Sequence, residues 1–224
     1  MKNKQINNLK KESYSVKIQT PSEEIANSIT HGIGAALSIA ALVILVVLAS
    51  RRGDTWRIVS FSIYGATLFL LYLSSTLYHG FVNPKIKNIF RILDHSAIYL
   101  LIAGSYTPIT LTLMRGVWGW TLFGLAWAMA IGGIIVTALL LDKLKVLLVS
   151  SYVIMGLMVI IAIKPMIQML PRGMIIWIFI GGGCYISGII FYLWKKLPYH
   201  HTIWHFFVLG GSISHFLGIL FYLT

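Results

Sequence analysis

Three histidines and an aspartate, His79, His201, His205 and Asp94, stand at the ends of long apolar segments of this 224-residue chain. His201 and His205 are four residues apart, so on a helix they share one face about one turn apart. Two imidazoles at that spacing can grip a single metal ion. Alone, the pair reads equally well as two interfacial side chains at a helix start. Ser75 and His79 repeat the four-residue spacing at the tail of an earlier segment. A third histidine at the same depth completes three protein ligands with an open fourth position, the arrangement of a catalytic rather than a structural zinc. Taken by itself, His79 is also an ordinary interfacial histidine beside Tyr78.

Asp94 carries more information, because it is one of only six acidic residues and lies in the apolar run Ile92-Leu93-Asp94-His95-Ser96-Ala97-Ile98. A carboxylate inside a membrane helix is costly unless paired. Two pairings are open to it. One is an ion pair with Arg91, one turn back. In the other, Asp94 hydrogen-bonds a zinc-bound water, orients it and accepts its proton. Glu24, Asn27 and His31 share a face through i, i+3 and i+4 relations and are expected to form a network that supports the metal ligands or pins the helix. For Glu24 the alternative is stabilisation of the helix dipole, and Glu23 is expected to face solvent. On the last segment His201, His205, Ser212 and His215 fall within an arc of about 80°. His215, more than two turns deeper, is expected to be a buried hydrogen-bonding histidine, whereas His200 points away.

The elements that carry these residues are set by composition. The chain is 58% hydrophobic and 11% charged, with mean hydropathy +0.83, whereas a soluble domain has about 25% charged residues. Lipid absorbs so many apolar side chains and a water-bound core does not. An all-α membrane protein follows, a seven-transmembrane helix bundle. A polar, basic tail at 1–20 precedes one domain at 21–224, with crossings near 25–49, 56–79, 92–113, 117–140, 146–163, 174–194 and 203–223. Each is close to the ~20 residues a crossing needs. About two dozen polar residues precede the first run, too many for the leading region of a secretory signal, so that run is expected to remain as an anchor. The lone Cys184 reads as a small packing residue. The recurrent glycines, from Gly32 and Gly34 to Gly210 and Gly211, read as close helix packing, and Pro108 as a kink.

Net charge is +12, yet the 18 Lys and Arg lie in the tail, the loops and the segment edges. That distribution fits topology signals and headgroup anchors, not nucleic-acid binding. With the N-terminus cytoplasmic and the C-terminus outside, two thirds of the 18 fall on the cytoplasmic side, as the positive-inside rule demands. The same topology brings Glu24, Asn27 and His31, then His79, Asp94 and His201, to one membrane depth.

Taken together, Glu24-xx-Asn27-xx-Thr30-His31, Ser75-xxx-His79, Arg91-xx-Asp94-His95 running on to Gly104-Ser105-Tyr106-Thr107-Pro108, and His201-xxx-His205 resemble the hemolysin III family. These are bacterial members of the progestin and adiponectin receptor superfamily, and the resemblance spans roughly residues 20–224. It implies one zinc per chain held by His79, His201 and His205, with Asp94 reaching the metal through water and Ser75 matching the family serine. The superfamily is similar to alkaline ceramidases, which cleave a lipid amide. The chain lacks the large N-terminal domain of the animal receptors, which argues against a hormone-receptor role.

The expected function is a zinc-dependent hydrolase of a lipid amide or ester in the bacterial plasma membrane. Asp94 would act as base and Ser75 would help to stabilise the oxyanion. The partner is a membrane lipid; the sequence identifies no partner protein. The alternatives are a cytolysin that permeabilises membranes, a proton or ion transporter, and a lipid sensor without turnover. The absence of a signal peptide weighs against the cytolysin, and the clustering of polar groups at one end weighs against a through-path.

Overall fold

A computed structural model describes residues 19–224, in which every regular element is helical. All but the last two residues of the expected tail lie outside that range. In chain order the helices are α1 (Pro21–Arg52), α2 (Thr55–Gly80), α3 (Pro84–Leu111), α4 (Val117–Leu140), α5 (Lys145–Leu157), α6 (Ile163–Met169), α7 (Arg172–Leu193) and α8 (His200–Tyr222). A 3₁₀ segment, Met158–Ala162, joins α5 to α6. Among the described residues, six runs are long and apolar enough to cross a membrane: α1, α2, α4, the continuous stretch Lys145–Met169, α7 and α8.

Local sequence explains where the helices start and stop. Thr20 and Glu23 form a reciprocal capping box with Pro21 in the first helical position. Asp54 accepts from the N–H groups of Trp56 and Arg57 at the head of α2, and Asn83 does the same for Lys85 and Ile86 at the head of α3. Gly53 closes α1 in the left-handed conformation, φ 68°, which a glycine adopts without steric cost.

Helix α3 is the polar exception. It carries Arg91, Asp94, His95, Ser96 and Thr107, and it packs between α2 and α4 while touching α5 and α8. Its polar side chains are accommodated because neighbouring helices, not lipid, surround them. The periphery is the reverse. Ile131, Ile135 and Leu139 of α4 and Ile176, Phe179, Ile186 and Ile190 of α7 are exposed. Such continuous apolar faces belong against acyl chains.

The chain closes on itself through α8, which lies against both α7 and α1. Gly34 permits this closure: a Cβ there would stand 2.6 Å from the Tyr72 ring of α2 and 2.9 Å from Leu209 of α8. Not every glycine has this role. Gly132, Gly182 and Gly183 have no neighbour within 4 Å of such a Cβ, so for them the expected packing role is replaced by open space. The expected kink site, Pro108, falls in the last turn of α3. The discontinuity after α5 is repaired by Tyr106, whose hydroxyl lies 3.0 Å from the Gly156 carbonyl and accepts from Val159 N–H at 2.9 Å. Backbone groups freed at membrane depth need such a partner.

Candidate metal centre

Four helix termini meet at one end of the bundle: the starts of α1, α3 and α8 and the tail of α2. His79 comes from the last turns of α2, and His201 and His205 come from the first turns of α8. One nitrogen from each of the three imidazoles lies within 4.8 Å of the other two. His79 and His205 are buried, and His201 is half-buried.

The donor chemistry of this triad fits a metal. His79 places Nδ1 at 2.7 Å from Glu24 Oε2, while its Nε2 is buried without a hydrogen-bond partner. A ring whose Nδ1–H is donated to a carboxylate has its Nε2 lone pair free, which is how ligating histidines are commonly oriented. An orphaned imidazole nitrogen in an apolar site is costly, and a cation held by the triad removes that cost for His79 Nε2. Three imidazoles suit zinc and other borderline transition metals.

Helix α1 supports the cluster along its polar face. Besides Glu24, Asn27 accepts a hydrogen bond at 2.6 Å from Thr202, between the α8 histidines. His31 is 3% exposed, and its ring is stacked on His205 at a centroid separation of 3.4 Å and 11° between planes. Tyr72 meets the same His31 ring edge-on at 5.0 Å. Glu23, expected to face solvent, also accepts from the backbone N–H of Tyr199 at 2.9 Å at the surface. Tyr199 is the one non-glycine among the described residues with positive φ, 54°. The Glu23 carboxylate thus holds a strained residue just before the His200-His201 turn.

Asp94 and Ser75 line a cavity of about 390 Å³ that also touches His201 and His205 and reaches deep between the helices to Met166 and Gly218. Both side chains are buried, and the Ser75 hydroxyl lies beside the Asp94 carboxylate. The carboxylate of Asp94 lies 3.9 Å from His95 Nδ1, and that nitrogen is 2.8 Å from the Arg91 carbonyl. Arg91 directs its guanidinium to Asp142, in the loop after α4, with two hydrogen bonds of 2.7 and 2.8 Å. His215 sits deeper in the cavity, 3.4 Å from the Ile178 carbonyl and edge-on to Tyr185. His200 makes an edge contact with His201, with ring centroids 6.1 Å apart.

Three residues of this end escaped sequence reasoning: Lys87, Thr202 and the contact made by Glu23. Lys87 binds Glu24 at 3.0 Å. Its one visible mark was a cation in the first turns of a helix, where the dipole disfavours positive charge. Thr202 carried no signal beyond standing between His201 and His205.

The fold and this cluster define a multi-pass helical membrane protein with a histidine triad able to hold a metal. The family model described as "Haemolysin-III related" matches residues 19–216, and the chain belongs to that family. It is 52% identical over 200 residues to "Hemolysin-3" of Bacillus cereus, covering 89% of this chain and 91% of that one. It is 50% identical over 203 residues to the "Hemolysin-3 homolog" of Bacillus subtilis, covering 91% and 95%. A more distant relative is the human "Monocyte to macrophage differentiation factor", 30% identical over 212 residues, covering 90% and 84%.

Proposed function

We propose that this protein is a membrane-embedded zinc hydrolase that cleaves a lipid amide or ester. In this reading α3 is a seventh crossing, the N-terminus and the metal centre face the cytoplasm, and the C-terminus lies outside. The Lys and Arg bias supports the orientation, and the length of α3, 28 residues, exceeds the ~20 needed to cross. The observation that carries the proposal is one largely apolar cavity lined together by Asp94, Ser75 and two imidazoles of the triad, His201 and His205.

Zinc held by His79, His201 and His205 would supply Lewis acidity, polarising a carbonyl and lowering the pKa of a water towards about 7. The chain's own groups do the rest. Asp94 takes up the proton that water gives up, at a carboxylate oxygen facing the cavity. The Ser75 hydroxyl, beside the Asp94 carboxylate, donates to the oxygen on which charge develops. The apolar wall beyond them receives the acyl chain and excludes bulk water. Access from the bilayer is supported by Gly156 and Ile160 on one side and Phe179, Gly183 and Ile186 on the other, which line the cavity and are also exposed outside.

The test is protein purified in detergent, assayed for metal content and for fatty-acid release from ceramide-type and ester lipids. About one zinc per chain and lipid cleavage lost in Asp94→Asn support the hydrolase, whereas metal-loaded protein without turnover on any lipid class overturns it. A second reading rests on the names of the Bacillus relatives: permeabilisation of foreign membranes. Red-cell lysis that persists in His79→Ala and Asp94→Asn would favour it over the hydrolase.

A further inference from the structure

We infer that Lys87 is a positioning residue for the metal centre, acting through Glu24 on His79; the inference rests on the metal-binding reading above. Lys87 stands in the second turn of α3, and its ammonium group is held from three directions. Nζ lies 3.0 Å from Glu24 Oε1, donates to the Tyr78 carbonyl at 3.0 Å, and sits over the Tyr78 ring at 4.9 Å. The two oxygens of Glu24 are thereby divided. Oε1 faces Lys87, and Oε2 faces His79 Nδ1 at 2.7 Å.

That division has a geometric consequence. A glutamate side chain has three rotatable bonds, and among the described residues His79 and Lys87 are the groups that fix the Glu24 carboxylate plane. Tyr78, the neighbour of His79 in the chain, supplies two of the three contacts that anchor Lys87. The ammonium group therefore locks the Glu24 carboxylate relative to the same turn of α2 that carries His79. The result is a continuous line, Lys87–Glu24–His79, from the surface of the bundle to the orphaned Nε2, built from three different helices. A second hydrogen bond on the remote oxygen orients a carboxylate as second partners of metal-ligating histidines are oriented elsewhere.

The sign of the effect distinguishes positioning from simple electrostatics. Lys87 is a cation close to a site for a dication, so its removal should tighten metal binding if only Coulomb repulsion mattered. Removal should loosen binding if the residue positions Glu24. The experiment is competition of Zn²⁺ and Co²⁺ between a chromophoric chelator and the purified full-length protein, with the visible absorption of the Co²⁺ form as a second readout. In Lys87→Met, metal affinity should fall about tenfold, the low end for partners of metal ligands, with an altered Co²⁺ spectrum. Lys87→Arg, which keeps a donor within reach of Glu24, should restore most of both. On a Glu24→Gln background Lys87→Met should add little, because its route to the metal is already cut.

Unchanged or tighter binding in a Lys87→Met protein of unaltered helicity and melting temperature overturns the inference while leaving the metal centre standing. So does full additivity with Glu24→Gln. Should Lys87→Met fail to fold, Lys87→Arg and Lys87→Gln decide: metal affinity and Co²⁺ spectrum the same in both overturns the inference. A parent protein that holds no metal overturns the metal-binding reading itself.

Discussion

Glu24 on α1 and His79 on α2 are 55 residues apart in sequence and share a 2.7 Å hydrogen bond between Oε2 and Nδ1. This one contact fixes which nitrogen of His79 faces the other two imidazoles, and it makes the start of α1 part of the candidate metal centre rather than a membrane anchor alone.

Replacing the carboxylate should therefore weaken the metal without removing a ligand. Glu24→Gln keeps an acceptor oxygen but loses its charge, and outer partners of ligating histidines are worth roughly 10–100-fold in metal affinity. Chelator competition on the purified protein checks this. His79→Ala, which removes a ligand, should lose more than Glu24→Gln; equal losses would mean that His79 is not a ligand.

Asp94 should separate binding from chemistry. Asp94→Asn is expected to retain the metal, because in the proposed centre three imidazoles would hold it, and to lose about 10²–10⁴-fold in turnover, the usual contribution of a general base. Metal content and lipid cleavage measured on one preparation test both halves. Loss of metal together with activity would make Asp94 a ligand instead.

The hydrogen bond from Thr202 to Asn27, 2.6 Å and fully buried, should be a strong tether between α1 and α8. Thr202→Val leaves the Asn27 carbonyl oxygen unsatisfied, at a cost of about 1–3 kcal/mol. In a double-mutant cycle with Asn27→Leu, the second substitution should cost less than it does alone. Thermal unfolding in detergent reads both numbers, and strict additivity would rule out the tether.

Asp142 provides a pH-dependent contribution that lies outside the membrane. Its hydrogen bonds with Arg91 hold the carboxyl below the usual value, against a smaller opposing effect of burial. A carboxyl whose folded pKa is depressed adds stability above its unfolded pKa, about 3.9, and loses it as pH falls through the lower folded value. Asp142 is largely solvent-exposed, so the gain is at most about 1 kcal/mol. Asp142→Asn should lower the melting temperature slightly at pH 7, and the gap from the parent protein should close below about pH 4. A gap that persists in acid would assign the effect to packing.

The orientation can be tested directly. A reporter fused after Thr224 should be active only outside the cytoplasm, and one fused in the loop that carries Lys195 and Lys196 only inside it. The opposite pattern would reverse the bundle and place the metal centre on the outer face.

Much of this protein is written along the chain. Apolar runs broken by Arg51-Arg52-Gly53-Asp54, Asn83-Pro84 and Pro171-Arg172 mark helices and their ends, because caps and breakers act over three or four residues. The i, i+4 spacing of His201 and His205 places both on one face for the same local reason. The run to Met169, broken by a 3₁₀ segment after α5, was not legible, because Tyr106 on another helix sustains it. Arg91 illustrates the limit most plainly. One turn from Asp94 in sequence, it sends its guanidinium to Asp142, 51 residues away. Spacing lists the partners a side chain can reach within its own helix and is blind to those the fold delivers. The sequence by itself determined a helical membrane protein and the residue types of a metal centre, since hydrophobicity and helical period are local properties. Only the tertiary structure decided that Glu24 bonds His79 with one oxygen and Lys87 with the other and that His31 stacks on His205, because those relations exist between helices.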